Sequence, residues 1–262
     1  MTEDEIILTH ILQCRPIDVL LKRSALSLAQ QKQFEDYKRR RQAGEPLQYI
    51  LGACNFMGLE LAVNPAVLVP RPETEQLVDA ALKYFKDGHA LDLGTGSGNI
   101  VIALAKFVPQ SQIVSVEVSA QALETAKANA RYHGVENQIE FIQRDILCED
   151  VILNAVKNSN FNLIISNPPY IPTSQLSSLP VDVQKEPLMA LDGGEDGLNF
   201  YRIIIKYTPR LLRSGACLMM EFGDGQAEAV KKLIEAQKVF SSIEIIQDLA
   251  GRDRIILVKT LA

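Results

Sequence analysis

Cysteine is scarce. The four in 262 residues, Cys14, Cys54, Cys148 and Cys217, lie far apart, with no C-x-x-C pair and no Cys/His cluster at metal-ligand spacing. That excludes a disulfide scaffold, and four free thiols in a reducing compartment are expected. Histidine is scarcer still: His10, His89 and His133 have no partner spacing for a catalytic triad or a metal, and each is expected as a surface or capping residue. No apolar run approaches the roughly 18 residues that would span a bilayer. The opening MTEDEIILTHIL is acidic where a secretory signal would be positive, so a cytoplasmic chain without membrane contact is expected. An excess of positive charge is also missing. With 27 Lys+Arg against 32 Asp+Glu the net charge is -5, which argues against a surface built throughout to hold phosphate backbone.

What is present is the make-up of a globular protein: 47% hydrophobic, 23% charged and 6% aromatic residues, in a length that suits one large domain or one with a smaller companion. Residues 1–45 carry apolar positions at helical spacing (Ile7, Leu8, Ile11, Leu12, then Val19, Leu20, Leu21) and predict a small helical N-terminal domain. The one concentrated basic run, Lys38-Arg39-Arg40-Arg41, lies in it; such a run is either a solvated helix face or a docking surface. Residues 46–72 mix short β-prone runs with Gly52, Gly58, Pro65, Pro70 and Pro72 and predict a hairpin linker. Leu77, Val78, Ala81, Leu82 and Phe85 then share one helix face, with Thr74 as the expected N-cap.

From residue 90 strands and helices alternate. Strands are expected at 90–93, 112–117, 139–142, 161–166, 216–222, 242–247 and 254–259, and helices at 100–107, 119–133, 197–212 and 226–238. This predicts an α/β fold, a doubly wound sheet that is parallel in the main. Only six residues separate the last two runs, too few for a crossover helix, so those strands should pair antiparallel. Met219, Met220 and Phe222 read as core.

Two segments carry chemistry. Leu91-Asp92-Leu93-Gly94-Thr95-Gly96-Ser97-Gly98-Asn99 sits where a buried strand gives way to a helix, the address at which open α/β sheets bind ligands. Its G-x-G-x-G spacing is neither the dinucleotide fingerprint G-x-G-x-x-G nor a P-loop nor a nucleophile elbow. Glu117 ends the next strand, where a carboxylate is placed to accept hydrogen bonds from both ribose hydroxyls, and Asp145, after the third strand, would lie near the adenine edge. Together they point to an adenosine-bearing ligand; the plainer alternative is a tight turn and a solvent-facing acid. This pattern resembles the S-adenosylmethionine-dependent methyltransferases of the Rossmann-like class. The resemblance implies a seven-stranded sheet with a reversed last strand over residues 73–262.

The second segment, Asn167-Pro168-Pro169-Tyr170, follows the apolar strand FNLIIS, so both turns should open on one cleft. Two prolines stiffen the corner and aim Asn167 and the Pro168 carbonyl in a set direction. A planar NH2 group is a poor nucleophile because its lone pair is delocalised. The Asn167 side-chain oxygen and the Pro168 carbonyl can each accept one N–H and favour pyramidalisation, while Tyr170 offers a flat ring. Amides and exocyclic adenine amines both fit, and the motif alone does not separate them. The connection 171–196, with Pro172, Pro180 and Pro187, is long enough to suggest a substrate-facing lid as well as a surface insertion.

Val69-Pro70-Arg71-Pro72-Glu73-Thr74-Glu75, Asn167 to Ile171, Glu186-Pro187, Ala190-Leu191, Gly193, Gly197-Leu198 and Tyr201-Arg202 together closely resemble the release factor glutamine methyltransferases. The resemblance covers nearly the whole chain. It implies transfer of a methyl group from S-adenosylmethionine to the glutamine nitrogen of the Gly-Gly-Gln motif of bacterial class-one peptide-chain release factors. It further implies that Gly94, Thr95, Gly96, Ser97 and Gly98 cradle the methionine part of the cofactor, that Glu117 holds the ribose, and that Asp145-Ile146 borders adenine. Asn167, Pro168, Pro169 and Tyr170 would bind the glutamine amide, with Asn167 also reaching the cofactor and with Asn167, Pro168 and Tyr170 as the catalytic set. No metal is implied, and the chain is expected to act as a monomer on its release factor without direct contact to nucleic acid. The competing readings are an adenine-N6 nucleic-acid methyltransferase, which would flip a base into the same pocket, and a cofactor-binding module without catalysis.

Overall fold

Strand and helix alternate from residue 88 onward in the computed structural model, which describes residues 1–15, 17–19, 26–148 and 160–261; Leu20 and Leu21 of the sequence reading lie outside them. Before the alternation come helices, a hairpin and one further helix. Helices α1 (Glu3–Leu12) and α2 (Leu28–Gln42) both start from reciprocal caps, Thr2 with Glu5 and Ser27 with Gln30, which satisfy backbone donors that a helix start leaves open. The short helix α3 (Leu47–Leu51) was not expected within the linker; Gly52, at φ 74°, ends it and turns the chain into β1 (Ala53–Phe56) and β2 (Leu59–Ala62). These pair antiparallel through Met57 and Gly58, both at positive φ, the backbone that a two-residue hairpin turn demands.

Helix α4 spans Pro72–Tyr84 with Arg71 as its N-cap. Proline at the first helical position has its φ set already and no N–H to satisfy, so the helix begins two residues before the expected cap. Thr74 therefore lies inside the first turn, 1% exposed, with its hydroxyl free for tertiary contacts.

The strands are β3 (Gly88–Leu93), β4 (Ser111–Glu117), β5 (Ile139–Gln143), β6 (Phe161–Ser166), β7 (Leu212–Glu221), β8 (Phe240–Gln247) and β9 (Asp253–Thr260). Between them run α5 (Asn99–Phe107), α6 (Ala120–Tyr132), α7 (Asn199–Leu211) and α8 (Ala227–Glu235). The seven strands form one sheet in the order β5-β4-β3-β6-β7-β9-β8, with β9 antiparallel to both its neighbours. The sheet is thus the expected Rossmann-like one. Its reversed last strand inserts between β7 and β8, because the short connection from β8 cannot cross over the sheet.

Alternate residues face opposite layers. Leu163, Ile165 and Met219 join the cluster under α4 and α5, while Ile164, Leu218 and Met220 join the cluster under α7 and α8. Each fully buried aliphatic side chain contributes about 1.5–3 kcal/mol, and both layers contain many of them.

The chain runs outward from β3 to β5 and then returns to the other side of β3 at β6, which makes β3/β6 the topological switch point. Asp92 pairs with Ile165, so Leu93 and Ser166 end side by side, and the Ser166 hydroxyl donates to the Leu93 carbonyl at 2.6 Å. The turns that follow, Gly94 and Asn167 onward, start next to each other.

The basic run is neutralised by partners both near and distant in sequence. Lys38 pairs with Asp4, Arg39 with Asp36, Arg40 with Glu45, and Arg41 with Glu3 and Asp182. Half-exposed pairs of this kind add little stability, but they leave no net positive patch on that helix.

Candidate active site

The two turns open on one cavity of about 800 Å³. Gly94, Thr95, Gly96, Ser97, Glu117, Asp145, Ile146, Asn167 and Pro169 line it. Gly98, Pro168 and Tyr170, expected beside them, do not. Gly94 and Gly96 sit at φ 87° and 54°, and a Cβ on either would meet nothing within 4 Å, so the left-handed backbone requires glycine and the space above it belongs to the cavity. Gly98 differs: its Cβ would lie 2.9 Å from Ile102 and 3.2 Å from Ala126, so its glycine serves the packing of α5 against α6.

Buried polar groups hold the glycine turn. Asp92, 1% exposed, accepts from Thr95 Oγ1 at 2.6 Å and Ser115 Oγ at 2.9 Å through one oxygen. Burial pushes its carboxyl up to about 6. Glu117 accepts from the Gly96 N–H at 3.0 Å with one oxygen and from the Ser119 N–H at 2.9 Å with the other. Each oxygen keeps a further lone pair for a ligand hydroxyl. Asp145 accepts the Leu147 N–H at 2.8 Å, which fixes the turn that bears Ile146. The buried Ser97 hydroxyl has no hydrogen-bond partner among the described residues. A wall of two glycines without side chains, beside the Glu117 carboxylate, suits a polar ligand lying along this turn.

The proline corner is held from behind. Its backbone is so close to a second loop that a Cβ on Gly193 would lie 2.8 Å from Tyr170 Cα and one on Gly197 2.3 Å from the Tyr170 carbonyl oxygen. Gln226 donates to that carbonyl at 2.9 Å and accepts the Gly223 N–H at 2.9 Å. The Tyr170 ring packs against Gly223 and the α7/α8 cluster, and burial pushes its hydroxyl up to about 12. Tyr170 is thus an anchor of the corner, where the sequence suggested a cavity-facing plate; a flat apolar ring gains more from the core than from a polar cavity.

Several cavity residues were not singled out for chemistry in the sequence. Thr74 and Arg71 come from the start of α4, and Pro187, Leu188, Met189 and Ala190 from the 171–196 connection. That connection is tied at its base by Ile171 N–H to Leu191 O at 3.0 Å and Gly193 N–H to Ile171 O at 2.8 Å. Leu188 and Met189 are 62% and 54% exposed at the rim. Buried Glu186 accepts from the Arg71 guanidinium and from the Val69 N–H at 3.0 Å, clasping the linker to this loop.

Behind Asn167 lies a buried polar line. Asn167 Nδ2 donates to Thr74 Oγ1 at 2.9 Å, and Thr74 Oγ1 donates to Glu221 Oε2 at 2.7 Å. Glu221, 1% exposed at the end of β7, is pushed up to about 7 by burial, against the pull of Thr74 and Arg254. An acid closing the apolar run ACLMM was the available sequence signal for it.

Among the described residues no three His, Cys, Asp or Glu side chains are placed to hold a metal ion, and no helix is long and apolar enough to cross a membrane. All four cysteines are free thiols.

Comparison with known proteins agrees with the geometry. The family model "Methyltransferase small domain" matches residues 73–180 and "PrmC N-terminal domain" matches residues 2–52. The release factor glutamine methyltransferase of Geobacter sulfurreducens is 44% identical over 219 residues, 83% of this chain and 74% of that protein. That of Thermodesulfovibrio yellowstonii is 36% identical over 263 residues, 98% of this chain and 91% of that one. A methyltransferase from Pyrococcus furiosus, 19% identical, shares the fold with a TM-score of 0.57 over 87% of this chain and all of that one.

Proposed function

The chain belongs to the release factor glutamine methyltransferases, and from that premise we propose that its cavity receives S-adenosylmethionine along the Gly94–Gly98 turn and the Gly-Gly-Gln glutamine of a class-one release factor at the Asn167–Tyr170 corner. One observation carries the reading: the two turns leave adjacent strand ends and line a single cavity.

When bound, the cofactor supplies an activated methyl on a sulfonium. The residues of the chain do the rest. Glu117 accepts the ribose hydroxyls through the lone pairs not used by Gly96 and Ser119. Asn167 Oδ1 accepts one amide hydrogen at the cavity wall, and the carbonyl of Pro168, which does not itself line the cavity, accepts the other once the glutamine is seated against the corner. This turns the glutamine nitrogen toward the methyl and supports the positive charge that grows on it. Holding reactants in line is worth up to about 7–11 kcal/mol in well-placed systems. The braced corner suits that task because it cannot relax away.

The direct test is a mass spectrum of release factor treated with this protein and S-adenosylmethionine, in which one added methyl on the Gly-Gly-Gln glutamine is expected. An unmodified glutamine would refute the assignment. Label on DNA or RNA would favour adenine chemistry instead, for which the neutralised basic run offers no support. Cofactor binding without turnover on any substrate would indicate a regulatory module.

A second measurement separates the two halves of the cavity. Glu117→Ala removes a charged acceptor, an interaction of about 1.5–3 kcal/mol, so calorimetry should show cofactor affinity lowered by roughly 10- to 100-fold. At saturating cofactor the rate of the chemical step should remain close to that of the parent. A lost chemical step with unchanged affinity would contradict the role given to Glu117.

A further inference from the structure

Asn167 is useful to a substrate amide only in one orientation. Its oxygen must face the glutamine, because its own NH2 in that place would confront the substrate NH2 donor to donor. A carboxamide is nearly symmetric in shape, so sterics alone do not choose between the two orientations. The choice has to come from what the other end of the side chain meets.

That end meets Thr74, and behind Thr74 stands Glu221. We propose that Glu221, acting through the Thr74 hydroxyl, is the positioning group that fixes the Asn167 carboxamide with its oxygen toward the substrate; this rests on the reading of the site above. An ionised carboxylate has no proton to give, so the single hydrogen of Thr74 is committed to it. The Thr74 oxygen then only accepts from Asn167, and it accepts Nδ2–H at 2.9 Å. Asn167 Oδ1 is left without a partner among the described residues, on a side chain that lines the cavity. Both relay residues are 1% exposed, so water does not compete for the line, and reversing it would leave a buried donor or acceptor unmet.

Reversal becomes possible only if Glu221 carries a proton. It could then donate to Thr74, Thr74 could turn its own hydrogen to Asn167, and the carboxamide could present NH2 to the substrate. The charged and titratable groups around Glu221 are Arg254 from β9, Arg71 and Glu73 from the start of α4, Tyr170 from the corner and Tyr201 from α7. Tyr201 donates to the Glu221 backbone carbonyl at 2.8 Å, not to the carboxylate. With the carboxyl pushed up to about 7, kcat should fall as pH drops through that region, an acid limb that Glu221→Gln should remove.

The test compares the parent with Thr74→Val, Thr74→Ser and Glu221→Gln, using release factor as substrate between pH 6 and 9. Thr74→Val keeps the shape and removes the hydroxyl, and kcat is expected to fall about 10- to 100-fold with cofactor affinity by calorimetry unchanged. Thr74→Ser restores the hydroxyl and should recover most of the rate. Glu221→Gln supports both polarities at every pH, so a reduced and pH-independent kcat is expected across the acid limb. A parent profile without an acid limb, or Thr74→Val and Glu221→Gln both keeping the parent kcat and limb, would overturn the proposal. Should Thr74→Val fail to fold, the parent and Glu221→Gln profiles still decide. Asn167→Ala run alongside distinguishes the two readings: if it is inactive while the relay variants behave as the parent, only the relay fails, and if it is active, the reading of the site fails first.

Discussion

Asn167→Ala is expected to slow methyl transfer to release factor by about 100- to 1,000-fold at saturating cofactor, the loss typical of removing one preorganised polar group from a developing charge, or roughly 2.7–4 kcal/mol. The contact is weak while the glutamine nitrogen is planar and neutral, and it strengthens as the N–H groups gain positive character. It therefore acts on the barrier more than on binding. Single-turnover rates should fall while cofactor affinity stays within a few-fold, since the proposed reading gives Asn167 to the substrate and Glu117 and the glycine turn to the cofactor. Equal losses in rate and in cofactor affinity would mean that Asn167 shapes the cavity without handling the amide. The substitution also leaves the Thr74 oxygen without its donor, but Thr74 keeps its bond to Glu221, so thermal stability should change little.

The second large effect falls on a residue with no side chain. Gly197→Ala should lower the unfolding temperature by roughly 5–15 °C. Its φ of 76° costs an L-residue about 1–2 kcal/mol. The added methyl would lie 2.3 Å from the Tyr170 carbonyl oxygen and 2.6 Å from Gln226 Nε2, overpacking of the kind that costs about 1–3 kcal/mol. At this chain length each kcal/mol shifts the midpoint by about 2–4 °C. Because the atoms that must give way are those that brace the proline corner, methyl transfer should be lost well below the new midpoint. Gly251 supplies the control. Its φ is 77° with nothing within 4 Å of a Cβ, so Gly251→Ala carries the backbone strain alone, and calorimetry should show the smaller drop of about 2–8 °C that this strain implies. Equal shifts in the two variants would show that close packing on Tyr170 contributes nothing.

These two residues also mark how far the sequence can be read. Asn167 announced itself, because a polar residue followed by two prolines at the end of an apolar strand has few structural uses at the carboxyl edge of a parallel sheet. Gly197 stood out only through a family resemblance, and nothing local says that its missing Cβ makes room for a carbonyl 27 residues earlier in the chain. The same holds for Glu186, whose partners Val69 and Arg71 lie more than a hundred residues away. Thr74 was misread as a cap because Thr near a helix start usually is one. Pro72 moved the start, and the freed hydroxyl joined the line from Asn167 to Glu221.

The sequence by itself determined what depends on neighbours along the chain. It set the alternation of strand and helix, the antiparallel closing pair, the left-handed glycines of the first turn and the stiffness of the second, since periodicity, backbone sterics and connection length are local quantities. The tertiary structure alone decided what depends on groups far apart in sequence. The basic run became neutral only when Glu3, Asp4 and Asp182 folded against it. Tyr170 turned from the cavity to the core only because Gly223 and the α7/α8 cluster offered it apolar contact. Glu221 was joined to Asn167 through Thr74 only because burial removed the water that would have hydrated Thr74 and Glu221. Charge, orientation and protonation are set by the three-dimensional surroundings, and those exist only once the sheet has closed.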